Sequence, residues 1–185
     1  MPCLSEDERD EILRVARESI KEAAVNGRLL NSYPQTEVFR RRCGVFVTLH
    51  MAGKLRGCIG VIEPQEELGK SLVRTAASAA LDDTRFARIQ PNEVNQLEVE
   101  VSLLSELQSA TPEEIVLGRD GLLIGQGVRR GLLLPQVATE HHLDRVRFLE
   151  ETCLKAGLPR DAWKELGTTI QRFTCEVFSE APKAS

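Results

Sequence analysis

Aromatic residues are scarce in this chain of 185 residues: they make up 4% of it, with one tryptophan and one tyrosine. Proteins that bind single-stranded RNA stack its bases on aromatic side chains, so this composition argues against RNA binding. The formal net charge is -4, which supplies no overall basic field for DNA or for an anionic membrane. We therefore do not expect DNA binding, and any nucleic acid would need a local basic patch.

Long apolar runs are missing as well. None approaches the roughly 20 residues that a membrane-spanning helix needs. The opening segment MPCLSEDERDE turns acidic at once and lacks the basic and then apolar layout of a signal peptide. These features predict a cytoplasmic protein that does not enter a membrane.

Regular metal-ligand spacing is the third feature that the sequence lacks. The five cysteines are Cys3, Cys43, Cys58, Cys153 and Cys175. Their number is odd and no C-x-x-C occurs, which favours reduced thiols over a disulfide framework. Of the three histidines, His141 and His142 are adjacent and are expected to be a solvated surface pair at the start of a helix. We expect no metal and no cofactor.

Helix and strand signals are mixed along the chain. Helical periodicity predicts helices at about residues 5–27, 66–81 and 143–156. Alternating or glycine-bounded apolar segments predict strands at about residues 45–51, 55–62, 97–103, 122–125, 128–134 and 172–177. Tight turns between strands favour an α+β fold, with a mainly antiparallel sheet and packed helices. We expect a single domain over residues 1–185, ordered over about 5–179, with a frayed C-terminal tail.

The segment LRGCIG, residues 55–60, places two glycines, an arginine and a cysteine in one predicted strand. Glycine weakens a strand, so its use twice indicates close approach or backbone room at this place. A two-residue loop, Ala52-Gly53, would mix polar and apolar residues on both faces of the hairpin. A three-residue loop, Met51-Ala52-Gly53, pairs Leu49 with Leu55 and makes one face aliphatic. The other face then collects Phe46, Thr48, His50, Arg56 and Cys58.

The environment of Cys58 decides what its thiol does. Arg56 lies two residues away and is expected on the same face, where a guanidinium would favour the thiolate. Gly60 is expected on that face too, leaving an approach path to the sulfur, whereas Gly57 faces a closely packed helix. Cysteine is also a common small buried hydrophobe, so a structural role for Cys58 stays open at this point.

The segment TLHMAGKLRGCIG closely resembles the signature of the AMMECR domain family, protein A of the AmmeMemoRadiSam system. AALDDTRF, which contains Asp83 and Arg85, is similar to a further family block, as are LEVEVSLLS and GLLLPQVATEHHLD. The resemblance implies one AMMECR-type α+β domain with two unequal lobes. It also implies a pathway shared with Memo-type and radical-SAM proteins, but no reaction. The chain departs from the usual family pattern at Ala87, Asp120 and Leu143.

The first functional hypothesis is an enzyme or enzyme accessory that acts through Cys58. Arg56 would hold an anionic substrate or activate the thiol, and His50 would be the base. Substrate-binding roles are expected for Thr48, Gly57, Gly60, Asp83 and Arg85. For Asp83 and Arg85, a local ion pair that caps the turn is the alternative.

The second hypothesis is a non-catalytic binding module for a small molecule, a nucleotide, RNA or a protein partner. Arg40, Arg41 and Arg42 would join Arg56 and Arg85 in such a site, although a solvated charge run is the alternative for the first three. A third hypothesis is a scaffold that docks the radical-SAM partner.

Overall fold

The computed structural model describes residues 4–180, which form two compact units of unequal size. Described residues up to Leu104 and from Glu176 onwards belong to the first unit, and Ser105–Cys175 forms the second. Helices and antiparallel sheets occur in both, which confirms the α+β class. The predicted frayed tail after Glu180 lies outside the described residues, as does Cys3.

The first unit places two long helices against a sheet. Its elements are α1 (Glu6–Asn26), α2 (Glu37–Arg40), β1 (Gly44–Met51), β2 (Lys54–Val61), α3 (Leu68–Leu81) and β3 (Leu97–Leu104). The helix α1 begins with a capping box of Ser5 and Glu8 and ends at Gly27, which has φ +66°. The sheet order is β2-β1-β3, and both pairs are antiparallel. Helix α3 packs on β1 and β2, so β2 is an edge strand with a helix on one face.

The two faces of this sheet differ in chemistry because side chains alternate along each strand. Val45, Val47 and Leu49 of β1 are fully buried, as are Val99 and Val101 of β3. The opposite face, called the polar face below, carries residues 46, 48 and 50 of β1 and residues 98, 100 and 102 of β3. Any site on this sheet therefore belongs to the polar face.

The second unit has a smaller sheet. Its elements are β4 (Gln108–Ser109), β5 (Asp120–Gln126), β6 (Arg129–Leu133), α4 (Pro135–Glu140), α5 (Arg145–Lys155) and the part of β7 (Thr168–Ser179) that ends at Cys175. Strand β5 pairs with β6 and with β7, and β4 pairs with β7, all antiparallel. Phe148, Leu149 and Cys153 of α5 are fully buried against Leu122 and Ile124 of β5.

Two short helices are present where the sequence pattern predicted none. Helix α2 spans four residues inside a predicted loop, which is too short for a periodic signal. Helix α4 begins with Pro135, which also ends the strand predicted at residues 128–134. Proline does both, because its fixed φ suits the first position of a helix. His141 and His142 consequently follow the end of α4, and the expectation that they begin a helix was wrong.

Within residues 4–180, no helix has the length and apolar character needed to cross a membrane.

Candidate functional site

The β1–β2 turn uses two residues, and the expected three-residue loop was wrong. Ala52 and Gly53 both have positive φ, 51° and 72°, as a tight hairpin turn requires. His50 then pairs with Leu55, but Leu49 pairs with Gly57, so Arg56 is the extra residue of a β-bulge. A bulge shifts the register by one residue and restores the aliphatic face that the loop was expected to restore.

Thr48 and Cys58 are direct cross-strand partners on the polar face. The Thr48 hydroxyl donates to the Cys58 sulfur, with 3.4 Å between Oγ1 and Sγ. Both side chains are half-buried. The expectation that these two residues share a face is confirmed.

The backbone of Cys58 is held from the free edge of β2 by Asp83 and Arg85, which follow α3. The Cys58 amide donates to Asp83 Oδ2 at 2.8 Å, and Arg85 Nη2 donates to the Cys58 carbonyl at 3.1 Å. Arg85 also binds the carboxylate through Nε and Nη2 at 2.9 and 2.7 Å. The pair occupies a donor and an acceptor that an edge strand would otherwise expose.

The charges of this pair stabilise each other. Hydrogen bonds from the Arg85 side chain, helped by the Cys58 amide, hold the pKa of the nearly buried Asp83 carboxyl well below its usual range. The hydrogen bond to Asp83 in turn raises the pKa of Arg85. Both groups are therefore ionised at neutral pH.

Arg56 does not contact the thiol as expected. Its Nε and Nη2 donate to the Glu93 carboxylate at 3.2 and 3.1 Å, and Nη1 donates to the Ala87 carbonyl at 2.6 Å. The bulge breaks the alternation that would have placed Arg56 beside Cys58. Arg56 therefore fixes residues 87–93, and the arginine next to Cys58 is Arg85.

The two glycines of LRGCIG both allow close packing. A Cβ at Gly57 would meet the Ala79 carbonyl oxygen of α3 at 2.3 Å, so the predicted helix contact is confirmed. A Cβ at Gly60 would lie 2.0 Å from the Phe46 ring. The expected open path beside Cys58 at Gly60 was wrong, because the ring of its cross-strand partner fills that space.

His50 lies two residues beyond Thr48 on the polar face and pairs across β3 with Glu98, while Thr48 pairs with Glu100. A small cavity of about 150 Å³ is lined by His50, Glu98 and Glu100 together with residues 99, 179 and 180. The hydrogen bond recorded at the sulfur comes from Thr48 and not from His50. Sequence reasoning missed Glu100, although the alternation of LEVEVS and antiparallel pairing with β1 would have placed it here.

The remaining described cysteines differ from Cys58 and form no disulfide. Burial raises the pKa of Cys43 to about 11 and also raises that of Cys153. Cys175 is half-buried. The structure therefore separates two buried cysteines from two half-buried ones.

Arg41 is structural, since it binds Glu8 at 3.1 Å and its carbonyl accepts from the Leu68 amide at 2.7 Å. Arg40 and Arg42 are exposed. Ligand binding by these arginines stays a prediction. Within residues 4–180, no three His, Cys, Asp or Glu side chains are grouped so that they could hold a metal ion.

These features define an α+β protein with a half-buried cysteine in a β-hairpin that packs against a helix. The family model described as AMMECR1 matches residues 13–178, and the chain belongs to this family.

Relatives and a solved structure agree with the family. A protein of Methanothermobacter thermautotrophicus is 44% identical over 187 residues, covering 96% of each chain. Protein TK0174 of Thermococcus kodakarensis is 43% identical, covering 91% of this chain and 88% of the relative. The crystal structure of the uncharacterized protein PH0010 from Pyrococcus horikoshii superposes with a TM-score of 0.86 at 38% identity, over 96% of this chain and 93% of that one.

Proposed function

We propose that this AMMECR1-family protein is an enzyme, or a subunit of one, whose reacting group is the Cys58 thiol on the polar face. The observation that carries the proposal is the hydrogen bond from the Thr48 hydroxyl to the Cys58 sulfur at 3.4 Å. A donor directed at sulfur stabilises the thiolate, which is the nucleophilic form of cysteine.

The contrast with the other cysteines supports this role. Cys43 and Cys153 are 4% and 0% exposed, and burial raises the pKa of each. Those are the properties of a thiol that serves packing. Cys58 is half-buried, has a hydroxyl donor, and sits on a strand whose backbone is fixed at that residue by Asp83 and Arg85.

Proton transfer in such an enzyme needs a titratable group on the same face. His50 and Glu100 flank Thr48, one along β1 and the other across the β1–β3 ladder. His50 is a diagonal neighbour of Cys58, and such neighbours lie about 7–8 Å apart, whereas Glu100 lies two strands from Cys58, about 9–10 Å away, so a proton would reach either base through water. We propose His50 or Glu100 as the base, with Thr48 positioning the sulfur.

The alternative function is a non-catalytic module for a nucleotide, RNA or a protein partner. Of the five arginines expected in its site, Arg41, Arg56 and Arg85 are ion-paired with Glu8, Glu93 and Asp83, so the exposed Arg40 and Arg42 would have to bind the anion. Within residues 4–180, Glu98 and Glu100 of the polar face have no ion-pair partner. An anionic ligand is therefore disfavoured on the polar face, and we prefer the catalytic role of Cys58 to the binding module.

The pathway is proposed from the resemblance to protein A of the AmmeMemoRadiSam system. This resemblance supports a cytoplasmic role in a pathway shared with a Memo-type and a radical-SAM protein. It suggests that the proteins act together but gives no reaction mechanism.

The experiment compares wild type, Cys58→Ser and Cys175→Ser. Each is combined with the Memo-type and radical-SAM proteins and a small-molecule cell extract, and metabolites are followed by mass spectrometry. We expect Cys58→Ser to lose the conversion by about 100-fold or more, because serine is a far weaker nucleophile. Cys175→Ser, the matched control, retains it. A conversion that persists in Cys58→Ser would contradict the role of the thiol and favour the binding module.

A further inference from the structure

A cavity of about 600 Å³ opens in the second unit between β6, α4 and α5. Its volume lies within the range of small-molecule sites, about 300–1,000 Å³. Its apolar lining consists of Leu133, Val137, Leu143 and Leu154. Such a surface favours a hydrocarbon chain or ring over a fully polar ligand.

Three polar residues, Glu151, Lys155 and His141, complete the lining, and they differ in whether another side chain compensates their charge. The Glu151 carboxylate accepts from Arg160 Nη1 at 2.8 Å, which compensates its charge. Within residues 4–180, the side chains of Lys155 and His141 have no hydrogen-bond or ion-pair partner. The uncompensated charge at this cavity is therefore the ammonium group of Lys155.

The turn after α4 shapes one wall of the cavity. His142 has φ +50°, uncommon for a residue with a side chain, and the Leu143 amide donates back to the Ala138 carbonyl at 2.8 Å. This is the pattern that ends a helix with a left-handed residue. It brings His141 and Leu143, which flank His142, to the same cavity.

We propose that this cavity binds a small amphipathic anion. Its hydrocarbon part lies on the four aliphatic side chains, and its terminal carboxylate or phosphate is held by Lys155, with His141 as a second donor. A lysine in the last turn of a helix also stabilises the helix dipole. That role would explain Lys155 but not the apolar cavity beside it.

Decanoate is the probe, used below the concentration at which it forms micelles. Binding is measured by calorimetry and by the fluorescence of Trp163, the single tryptophan, which packs on the same apolar core as Leu133, Val137 and Leu143. We expect saturable binding of decanoate with one site per chain. Decanol should bind about tenfold more weakly, because it lacks the charge that strengthens the hydrogen bond to Lys155. Decyl phosphate should bind like decanoate, and decylamine should not saturate.

Variants locate the site. Lys155→Gln should weaken decanoate about tenfold and leave decanol unchanged. Leu143→Phe should reduce the binding of both, because it fills the cavity. Arg145→Gln, an exposed change on the same helix outside the cavity, is the matched control and should alter neither. Urea unfolding of each variant verifies that the fold is intact.

Equal binding of decanol and decanoate would overturn the proposal, as would unchanged decanoate binding in Lys155→Gln. A folded Leu143→Phe that binds as well as wild type would place the ligand elsewhere and overturn it too. The same holds if none of the probes shows saturable binding. Failure of this test leaves the Cys58 proposal untouched, since the cavity shares no residue with the polar face.

Discussion

Thr48 and Cys58 face each other across the β1–β2 hairpin, and the threonine hydroxyl donates to the cysteine sulfur. The Cys58 amide and carbonyl bond to Asp83 and Arg85 at the free edge, so they do not take part in the ladder to β1. Thr48 and Cys58 are therefore a non-hydrogen-bonded pair, and in an antiparallel sheet the side chains of such pairs lie closer together than those of hydrogen-bonded pairs. The orientation of Cys58 that directs its backbone to Asp83 and Arg85 thus also brings its sulfur close to the Thr48 hydroxyl.

Thr48→Val should slow alkylation of Cys58 about three- to tenfold, because the sulfur loses its hydroxyl donor. Thr48→Ser retains a hydroxyl and should react at close to the wild-type rate. The measurement is modification with limiting iodoacetamide at several pH values, followed by peptide mass spectrometry. In the wild type we expect Cys58 to react faster than Cys43 and Cys153, which are sealed in the cores.

Cys3 and Cys175 are the internal comparisons in that experiment. If Cys58 stays unmodified until the protein unfolds, its role is packing and the catalytic proposal fails. Equal rates in the valine and serine variants would show that the hydroxyl does not act on the sulfur.

Asp83→Asn should lower the free energy of unfolding by about 1–3 kcal/mol at neutral pH, because the Arg85 and Cys58 donors lose a charged acceptor. The pKa of Asp83 is depressed in the folded state, so its contribution is complete above the unfolded value of about 3.9 and is lost as pH falls below it. The difference between wild type and variant should therefore shrink in acid. Urea unfolding from neutral to acid pH measures it, and the exposed neighbour Asp82→Asn is the control. A difference that stays constant with pH would exclude the charge as the cause.

Gly57→Ala should destabilise the protein by about 2–4 kcal/mol, because its methyl group would collide with a backbone carbonyl of α3. The atoms nearest to a Cβ at Gly60 belong to the Phe46 ring rather than to backbone, so a change of the Phe46 χ1 rotamer would relieve the contact, and Gly60→Ala should cost about 1 kcal/mol. Thermal or urea unfolding compares the two. Equal losses would mean that the strand does not depend on its contact with the helix.

Arg56→Ala should destabilise the first unit by about 2–4 kcal/mol, since Glu93 would be left partly buried without its partner. Glu93→Gln should have a similar effect, and the double variant should cost less than the sum. Hydrogen exchange should show faster opening of residues 87–93. The alkylation rate of folded Cys58 should change little, because Arg56 donates to this segment and not to the sulfur. A large loss of Cys58 reactivity in Arg56→Ala would show that Arg56 does act on the Cys58 thiol.

Local patterns were sufficient for most elements of this fold. The capping box at Ser5 and Glu8, Gly27 and the apolar spacing between them predict α1 almost to the residue. Alternation in LEVEVSLL predicts β3 in the same way. Helix α2 and the start of α4 at Pro135 escaped, because a helix of about one turn has no period to detect.

The composition of the polar face also follows from residue order, since any register that keeps the aliphatic residues on one face places Thr48 and Cys58 together on the other. The choice between loops does not follow from it. A turn of Ala52 and Gly53 with a bulge at Arg56, and a three-residue turn without one, both keep the aliphatic residues together.

Packing between distant segments decides that choice and, with it, the chemistry of the site. The Ala79 carbonyl packs against Gly57. Arg56 binds Glu93 and the Ala87 carbonyl and is thereby directed towards residues 87–93. Asp83 and Arg85 bind the Cys58 backbone. These partners lie 22 to 37 residues along the chain from the hairpin. Sequence order therefore specifies the thiol, its hydroxyl neighbour and the polar face. Which arginine lies beside Cys58, and what fills the space at Gly60, depends on contacts that form when the strand meets its helix.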